Sequence, residues 1–294
     1  MAQRKKVLED LEALNSLKNL AESYEEVAVV RMQKIRDSVL KTRAFLAELS
    51  DVFVDLKSSY EREIKQLLQM RKDGDKTILN VLQKNGKTLM VYLSSNGKLY
   101  GAVTQKTYRL FIQELKAQTG PVDLVVIGTS GKELLDNSGI KREYEFYDIP
   151  DTSVDLTHIK GLMSKFLQYE KVYVYYGKFG NVVTQDPIAT SISGEEIFES
   201  EAKKIDLRED KFIFEPTLEK IFHFFETQIM ANLFSQTLLE NQLARHASRV
   251  NAMEEALINV EIESKRLNLV KNRLKHQSMN KKQLETISGV LSLN

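Results

Sequence analysis

The residues that break helices are confined to the middle of this chain. All four prolines and twelve of the thirteen glycines lie between residues 74 and 216, while residues 1–73 contain neither type and residues 217–294 contain only Gly289. Because proline and glycine are the residues that most often end or bend a helix, both ends of the chain are predicted to form long uninterrupted helices. With a rise of about 1.5 Å per residue, each would reach roughly 110 Å.

The two end segments carry the apolar repeat of a coiled coil. A helix this long has little tertiary support unless it pairs along its length, and an ordinary helical bundle would need more helices than the chain supplies. Both helices leave one central domain, so we expect them to pair antiparallel. The spacing of three and four is followed by Val250, Met253, Leu257, Val260, Ser264 and Leu267, and less strictly by Leu11, Leu14, Ala21, Tyr24, Ala28 and Ile35.

The middle of the chain alternates short apolar runs with amphipathic segments, the pattern of an α/β domain. Residues 195–215 are predicted to form a return connection to the last helix. Predicted strands are 88–93, 124–127, 144–147 and a hairpin of 172–176 with 182–185, and predicted helices are 103–118, 132–137 and 156–167.

The composition excludes several classes of protein. Lysine plus arginine (42) nearly equals aspartate plus glutamate (41), so no overall field recruits nucleic acid or an anionic membrane. Cysteine is absent, which excludes disulfides and thiolate metal sites. No apolar run approaches the roughly 20 residues of a membrane-spanning helix, so we expect no direct membrane insertion. Acidic residues follow Arg4, Lys5 and Lys6 where a secretory signal would be apolar, so no targeting peptide is expected.

Two patterns that could carry chemistry favour a structural interpretation. Residues 128–133 contain glycines like those of a phosphate loop, but the spacing is two residues short, and Glu133 stands where a hydroxyl would hold Mg²⁺. A carboxylate there repels phosphate, so we expect a strand-to-helix turn. The four histidines are scattered without acidic partners at ligand spacing, so neither a metal site nor a cofactor is expected.

The C-terminal segment carries a distinctive run of residue types: Arg249, Val250, Asn251, Ala252, Met253, Ala256, Asn259, Asn272, Leu284, Glu285, Ile287, Ser288 and Gly289. In this register the segment resembles the tail of the gamma subunit of F-type ATP synthases. Further matches in the same order are Ser16, Asn19, Val30, Lys34, Leu99, Tyr100, Gly101, Gly128, Gly131, Gly139, Tyr176, Lys178, Phe179, Gln185, Pro187, Phe214, Glu215 and Pro216. Departures from the family's usual residues are Leu20, Glu22, Val27, His276, Asn280 and Lys282, so the chain is identified as a divergent member.

The resemblance implies an antiparallel two-helix stalk that carries a central Rossmann-like α/β domain. The expected segments are an N-terminal stalk helix at 1–73, the α/β domain at 74–215 and a C-terminal stalk helix at 216–294. The stalk would turn inside a ring of alpha and beta subunits, and the α/β domain would touch the epsilon subunit and the membrane c-ring. Catalysis would then belong to the beta subunits, with no catalytic residue in this chain.

The resemblance also names contact residues for the ring. They are Arg249, Met253, Lys275, His276 and Asn280, of which Lys275, His276 and Asn280 would meet loops of the beta subunits. Seven cationic side chains and no acidic one lie between residues 264 and 282. Such a run is more commonly a solvated helix face, and we favour that interpretation for most of it; for Lys275 and Asn280 we expect contact.

Two other functions remain open at this point. A gamma-like chain could serve a specialised rotary ATPase that hydrolyses ATP for other mechanical work, as the altered residues near the stalk tip suggest. A nucleotide-using α/β enzyme with coiled-coil arms would need a phosphate-binding glycine turn after the first strand, which residues 96–101 do not supply. Without cysteines or a presequence, the expected location is the cytoplasmic face of a bacterial plasma membrane, as part of the complex.

Overall fold

The computed structural model describes residues 2–59, 84–140, 142–151, 156–193 and 218–291. The chain divides into two compact units, the first formed by Met1–Val30 with Arg249–Asn294 and the second by Arg31–Ser248. The helices are α1 (Ala2–Ser59), α2 (Val103–Ala117), α3 (Thr129–Asp136), α4 (Leu156–Phe166) and α5 (Leu218–Leu291). The strands are β1 (Thr88–Leu93), β2 (Val122–Ile127), β3 (Glu145–Tyr147), β4 (Lys171–Phe179) and β5 (Gln185–Ser191).

The prediction of two long end helices is confirmed for the described residues. Helix α1 runs for 58 residues and α5 for 74, and neither is interrupted. No described helix combines the length and the apolar character needed to cross a membrane. The expected segment boundaries at 73/74 and 215/216, together with the return connection at 195–215, lie outside the described residues and stay predictions.

The first unit contains the predicted helix seam. The small side chain of Ala28 on α1 is fully buried at 0% exposure, which indicates that α1 and α5 approach closely there. Farther along α5, the predicted seam residues are half-buried, while their neighbours Ile258 and Ile262 are exposed. The buried members are Ala21, Ala28, Val250 and Met253, and the half-buried members on α5 are Leu257, Val260, Ser264 and Leu267.

Contacts in the first unit confirm that the two helices run antiparallel. The Arg249 guanidinium lies 5.4 Å from the centre of the Tyr24 ring. The pKa of Glu261 lies below its ordinary value because of a hydrogen bond from Lys265 and, in smaller part, because of the charge of Lys18 on α1. Going from Tyr24 back to Lys18 along α1 therefore corresponds to going forward along α5.

The second unit contains a five-stranded sheet in the order β3-β2-β1-β4-β5. Strands β1 to β4 run parallel to one another, and β5 pairs antiparallel with β4 at one edge. The predicted alternation of strands and helices is confirmed, and β1 has the predicted bounds. The α/β class follows from the sequence because the inner strands are short, apolar and separated by amphipathic helices.

Side chains of β1 supply both faces of the sheet, because successive residues of a strand point to opposite sides. Leu89, Val91 and Leu93 belong to a core cluster that includes Phe234 of α5. Met90 and Tyr92 belong to a second cluster, which includes buried residues of α2. The sheet is therefore covered on both faces, and one of its covers is the long C-terminal helix.

The predicted position of the last strand is wrong. Residues 182–184 form a turn, because the Asn181 side-chain oxygen accepts hydrogen bonds from the N–H groups of Val183 and Thr184 at 2.9 and 2.8 Å. The strand starts instead at Gln185 and includes Pro187. Proline is tolerated there because β5 is the edge strand of the sheet that the described residues form.

Candidate functional site

The order of the strands reverses at β1, which predicts a crevice at the carboxyl ends of β1 and β4. The chain leaves β1 to form β2 on one side and returns after β3 to form β4 on the other side of β1. In open α/β sheets, ligands bind where the strand order reverses in this way, outside the carboxyl ends of the strands. Functional groups are therefore expected at this position.

Asn241 of α5 bridges the two strands at this crevice. The N–H of Gly177, in β4, donates to the Asn241 side-chain oxygen at 3.1 Å. The Asn241 amide nitrogen donates to the carbonyl oxygen of Leu93, the last residue of β1, at 3.4 Å. A side chain of the protein thus takes the polar groups that a ligand at this place would use.

Arg245 extends this contact by one helical turn. Its Nη1 donates to the carbonyl oxygen of Ser94 at 3.1 Å and to Asp151 Oδ1 at 2.5 Å. The pair is well shielded from water, with side-chain exposures of 6% for Arg245 and 12% for Asp151. The guanidinium also lies 5.0 Å from the centre of the Tyr100 ring. Charged hydrogen bonds of this kind are stronger and more directional than neutral ones.

Asp151, in the loop after β3, is the centre of this cluster. Its carboxylate accepts hydrogen bonds from the N–H of Asn96 at 3.1 Å and from the N–H of Gly97 at 2.7 Å, and from the Tyr100 hydroxyl at 3.2 Å. Burial acts to raise the pKa of Asp151, but the Arg245 charge and these N–H donors outweigh it, so the pKa lies below its ordinary value. The carboxylate is therefore held in its charged form and ties the loop after β1 to α5.

The α5 segment at this site is buried on every side although much of it is polar. All nine residues from 240 to 248 are buried. Glu240 Oε1 accepts from Arg43 Nη2 of α1 at 3.0 Å and from Gln236, one turn earlier on α5, at 2.9 Å. Polar residues are rarely buried unless they are paired, so this segment is specified by its partners.

The turn after β1 approaches α5 so closely that it requires glycine. Gly101 has a φ of +62°, and a Cβ there would lie 2.5 Å from the carbonyl oxygen of Ser248. Two residues earlier, Leu99 also has a positive φ, of 64°. This is the Leu-Tyr-Gly turn identified by resemblance, and its backbone geometry brings the main chain against the helix.

The turn at residues 128–133 has its N–H groups directed at acceptors within the protein. The N–H of Thr129 donates to the Asn96 side-chain oxygen at 2.9 Å, and the N–H of Ser130 donates to the Ser95 carbonyl oxygen at 2.8 Å. Since a phosphate loop works by offering such N–H groups to a ligand, this turn does not have the geometry of one. Among the described residues, no group of three or more His, Cys, Asp or Glu side chains could hold a metal ion.

The five ring-contact residues expected from the sequence fall into two groups in the first unit. Lys275, His276 and Asn280 are exposed on α5. Arg249 and Met253 are buried in the seam, which leaves little of their side chains for a partner chain. The two groups are about 33 Å apart along the helix, given its rise per residue.

Sequence reasoning missed Asp151, Asn241 and Arg245. Asp151 and Arg245 are 94 positions apart, and no local pattern links them. One signal was present: the apolar repeat of the C-terminal segment begins only at Val250, and residues 240–249 are rich in polar side chains. A helix segment without an apolar face in the body of a protein indicates specific polar partners.

Comparison with known proteins places these features in context. A family model described as ATP synthase matches residues 4–293. The ATP synthase gamma chain of Cytophaga hutchinsonii is 26% identical over 313 residues, covering 100% of both chains. That of Symbiobacterium thermophilum is 23% identical and covers 100% of this chain and 99% of its own.

Solved structures share the fold. The rotor of the Euglena gracilis mitochondrial ATP synthase matches with a TM-score of 0.60 and 13% identity, covering 95% of this chain and 99% of that one. The central stalk and c-ring structure of the Tetrahymena thermophila mitochondrial ATP synthase contains a match with a TM-score of 0.55 and 18% identity, covering 81% and 99% of the two chains. At these identities the two matches show a shared fold.

Proposed function

The chain belongs to the ATP synthase gamma chain family, and on that premise we propose how its residues transmit torque. It is a central-stalk rotor subunit of an F-type ATP synthase and is not itself an enzyme. The observation that carries this conclusion is the match over residues 4–293, which includes both long helices as well as the sheet. A shaft of two wound helices suits the task because two helices resist twisting better than one.

We propose that the paired helices of the first unit turn inside a ring of alpha and beta subunits. Large apolar side chains stand exposed along both helices, which is typical of a surface covered by a partner. Contacts of this kind are non-directional, so a shaft can turn against them without breaking specific bonds. The exposed apolar residues are Leu17, Leu20, Val27 and Val30 on α1, and Ile258, Ile262 and Leu269 on α5.

Lys275, His276 and Asn280 are the proposed contacts with loops of the beta subunits. They are exposed, and they lie in the stretch from 264 to 282 that carries seven cationic side chains and no acidic one. An exposed ion pair contributes about 0–1 kcal/mol, but a pair in a dry interface contributes more. Arg249 and Met253, buried in the seam, would act on the ring through the shape of the shaft.

At the other end, we propose that the α/β unit meets the epsilon subunit and the c-ring. Support comes from the similar Tetrahymena chain, whose structure is described as the central stalk with the c-ring. Relatives that match over the full length of the chain include the bacterial gamma chains of Cytophaga and Symbiobacterium. We therefore propose that the chain works at the cytoplasmic face of a bacterial plasma membrane, coupling proton movement to ATP synthesis or hydrolysis.

Purification of the native complex tests this function. We expect alpha, beta and epsilon subunits and a proton-conducting ring to co-elute with the chain. A complex that hydrolyses ATP but contains no such ring would favour the alternative, a rotary ATPase that performs other mechanical work. Recovery of the chain without any ATPase subunit would contradict both.

A further inference from the structure

Two kinds of contact hold α5 on the sheet, and they resist motion differently. Phe234 and Leu238 belong to the apolar cluster on one face of the sheet. Apolar contact is roughly proportional to buried area and has no preferred direction, so it opposes separation better than rotation. The hydrogen bonds of Asn241 and Arg245 fix donor and acceptor positions, because they weaken steeply when distance or angle changes.

We propose that Asp151, Arg245 and Asn241 form a clamp that stops α5 from turning about its own axis on the sheet, and that torque passes through this clamp. The proposal rests on the rotor function stated above. It assigns a positioning role to three residues of the second unit that the sequence pattern does not single out. They hold α5 through hydrogen bonds that depend on direction and are shielded from water.

The clamp holds α5 at two successive turns. Asn241 and Arg245 are four residues apart and so lie on the same face of the helix. They bind two consecutive main-chain carbonyl groups, those of Leu93 and Ser94. Two attachment points on one face fix both the rotation of the helix and its position along its axis.

Asp151 gives the clamp a rigid base. The same carboxylate that accepts from Arg245 also accepts from the N–H groups of Asn96 and Gly97. A force on Arg245 is therefore transferred to the main chain of the loop after β1 and to the loop after β3 at once. The close approach of Gly101 to Ser248 adds a steric stop one turn farther along α5.

The test uses the complete complex carrying Asp151→Asn or Arg245→Gln, with ATP hydrolysis and ATP-driven proton pumping measured on the same preparation. We expect hydrolysis to persist because the shaft still turns in the catalytic ring, while protons pumped per ATP fall several-fold because the helix slips on the sheet. Arg245→Lys, which keeps the positive charge, should restore part of the pumping. Pumping per ATP equal to wild type in both neutral variants would overturn the proposal.

Glu133→Gln is the matched control. Its carboxylate, on α3, pairs at 3.2 Å with Lys98 of the loop after β1, but both side chains are exposed. We expect this variant to pump like wild type, and a loss as large as that of the clamp variants would overturn the proposal. Failure of the rotor function itself would be visible separately, as absence of the catalytic ring from the wild-type preparation.

Hydrogen exchange of the isolated full-length chain covers the case in which a clamp variant does not assemble. The amides of Asn96 and Gly97 donate to Asp151, so Asp151→Asn should speed their exchange and also that of residues 240–248. Thermal unfolding of the same samples verifies that the chain is folded. Unchanged exchange in a folded Asp151→Asn chain would overturn the clamp geometry.

Discussion

Gly101 and Ser248 are in main-chain contact, since a Cβ on Gly101 would lie 2.5 Å from the Ser248 carbonyl oxygen. Gly101→Ala should therefore destabilise the chain by about 2–4 kcal/mol, from the strain of a positive φ and from displacement of α5. Chemical denaturation of the purified chain measures this. Gly139→Ala is the control, because Gly139 also has a positive φ, +72°, but has open space around it. Equal losses in the two variants would show that the contact with α5 contributes nothing.

The Asp151 carboxylate gives the stability a defined pH dependence. Because its pKa in the folded chain lies below the ordinary value of 3.8, the stabilisation is present above that pH and is lost as the pH falls through the folded pKa. Asp151→Asn leaves the Arg245 charge buried without its partner, which should cost about 3 kcal/mol at neutral pH. The unfolding free energies of the wild-type chain and of Asp151→Asn should thus converge only below pH 3.8. Convergence at a higher pH would contradict this assignment.

Substitution of Lys275 distinguishes a contact with the catalytic ring from a solvated helix face. In the assembled complex we expect Lys275→Ala to lower ATP hydrolysis several-fold, because a charge in a partly dry interface is lost. Lys265→Ala is matched to it, since Lys265 is 74% exposed and pairs with Glu261 of the same helix. Steady-state hydrolysis rates measure both. Unchanged turnover in Lys275→Ala would leave the solvated-face interpretation in place for this residue.

Ala28 tests the close approach of the two helices in the first unit. Its side chain is fully buried, so Ala28→Leu should overpack the seam and destabilise it by about 1–3 kcal/mol. The neighbouring Val27 is 45% exposed, and Val27→Leu should change the stability of the isolated chain by less than about 0.5 kcal/mol. Thermal unfolding followed by circular dichroism compares the two. A tolerated Ala28→Leu would mean that the helices are farther apart than the seam indicates.

The parts of the fold that were predicted from the sequence depend on periodicity. The seam that includes Val250 and Met253 repeats every three or four residues, and β1 is an apolar run bounded by polar residues. Such patterns reflect burial on one face of an element, which a single sequence records. The same reasoning placed β5 too early, because valine at 182 and 183 favours a strand while the side chain of Asn181 closes a turn.

The clamp was not predictable in this way. Asp151 and Arg245 gain their meaning from each other, and each alone is an ordinary charged residue in a loop or a helix. Their pairing depends on the sheet order that brings the loop after β3 and the loop after β1 to the same edge. Such a charge pair depends on the strand order of the sheet. The strand order is set by packing over the whole domain, so no local motif predicts it.

Because Asn241 occupies the site between β1 and β4, we expect no nucleotide to bind there. In related sheets that site is where a mononucleotide or dinucleotide lodges. A small molecule that bound here would first have to displace the side chain of Asn241, which is part of the stalk helix α5. We therefore expect the stiffness of this joint to be the same whether ATP or ADP predominates around the complex.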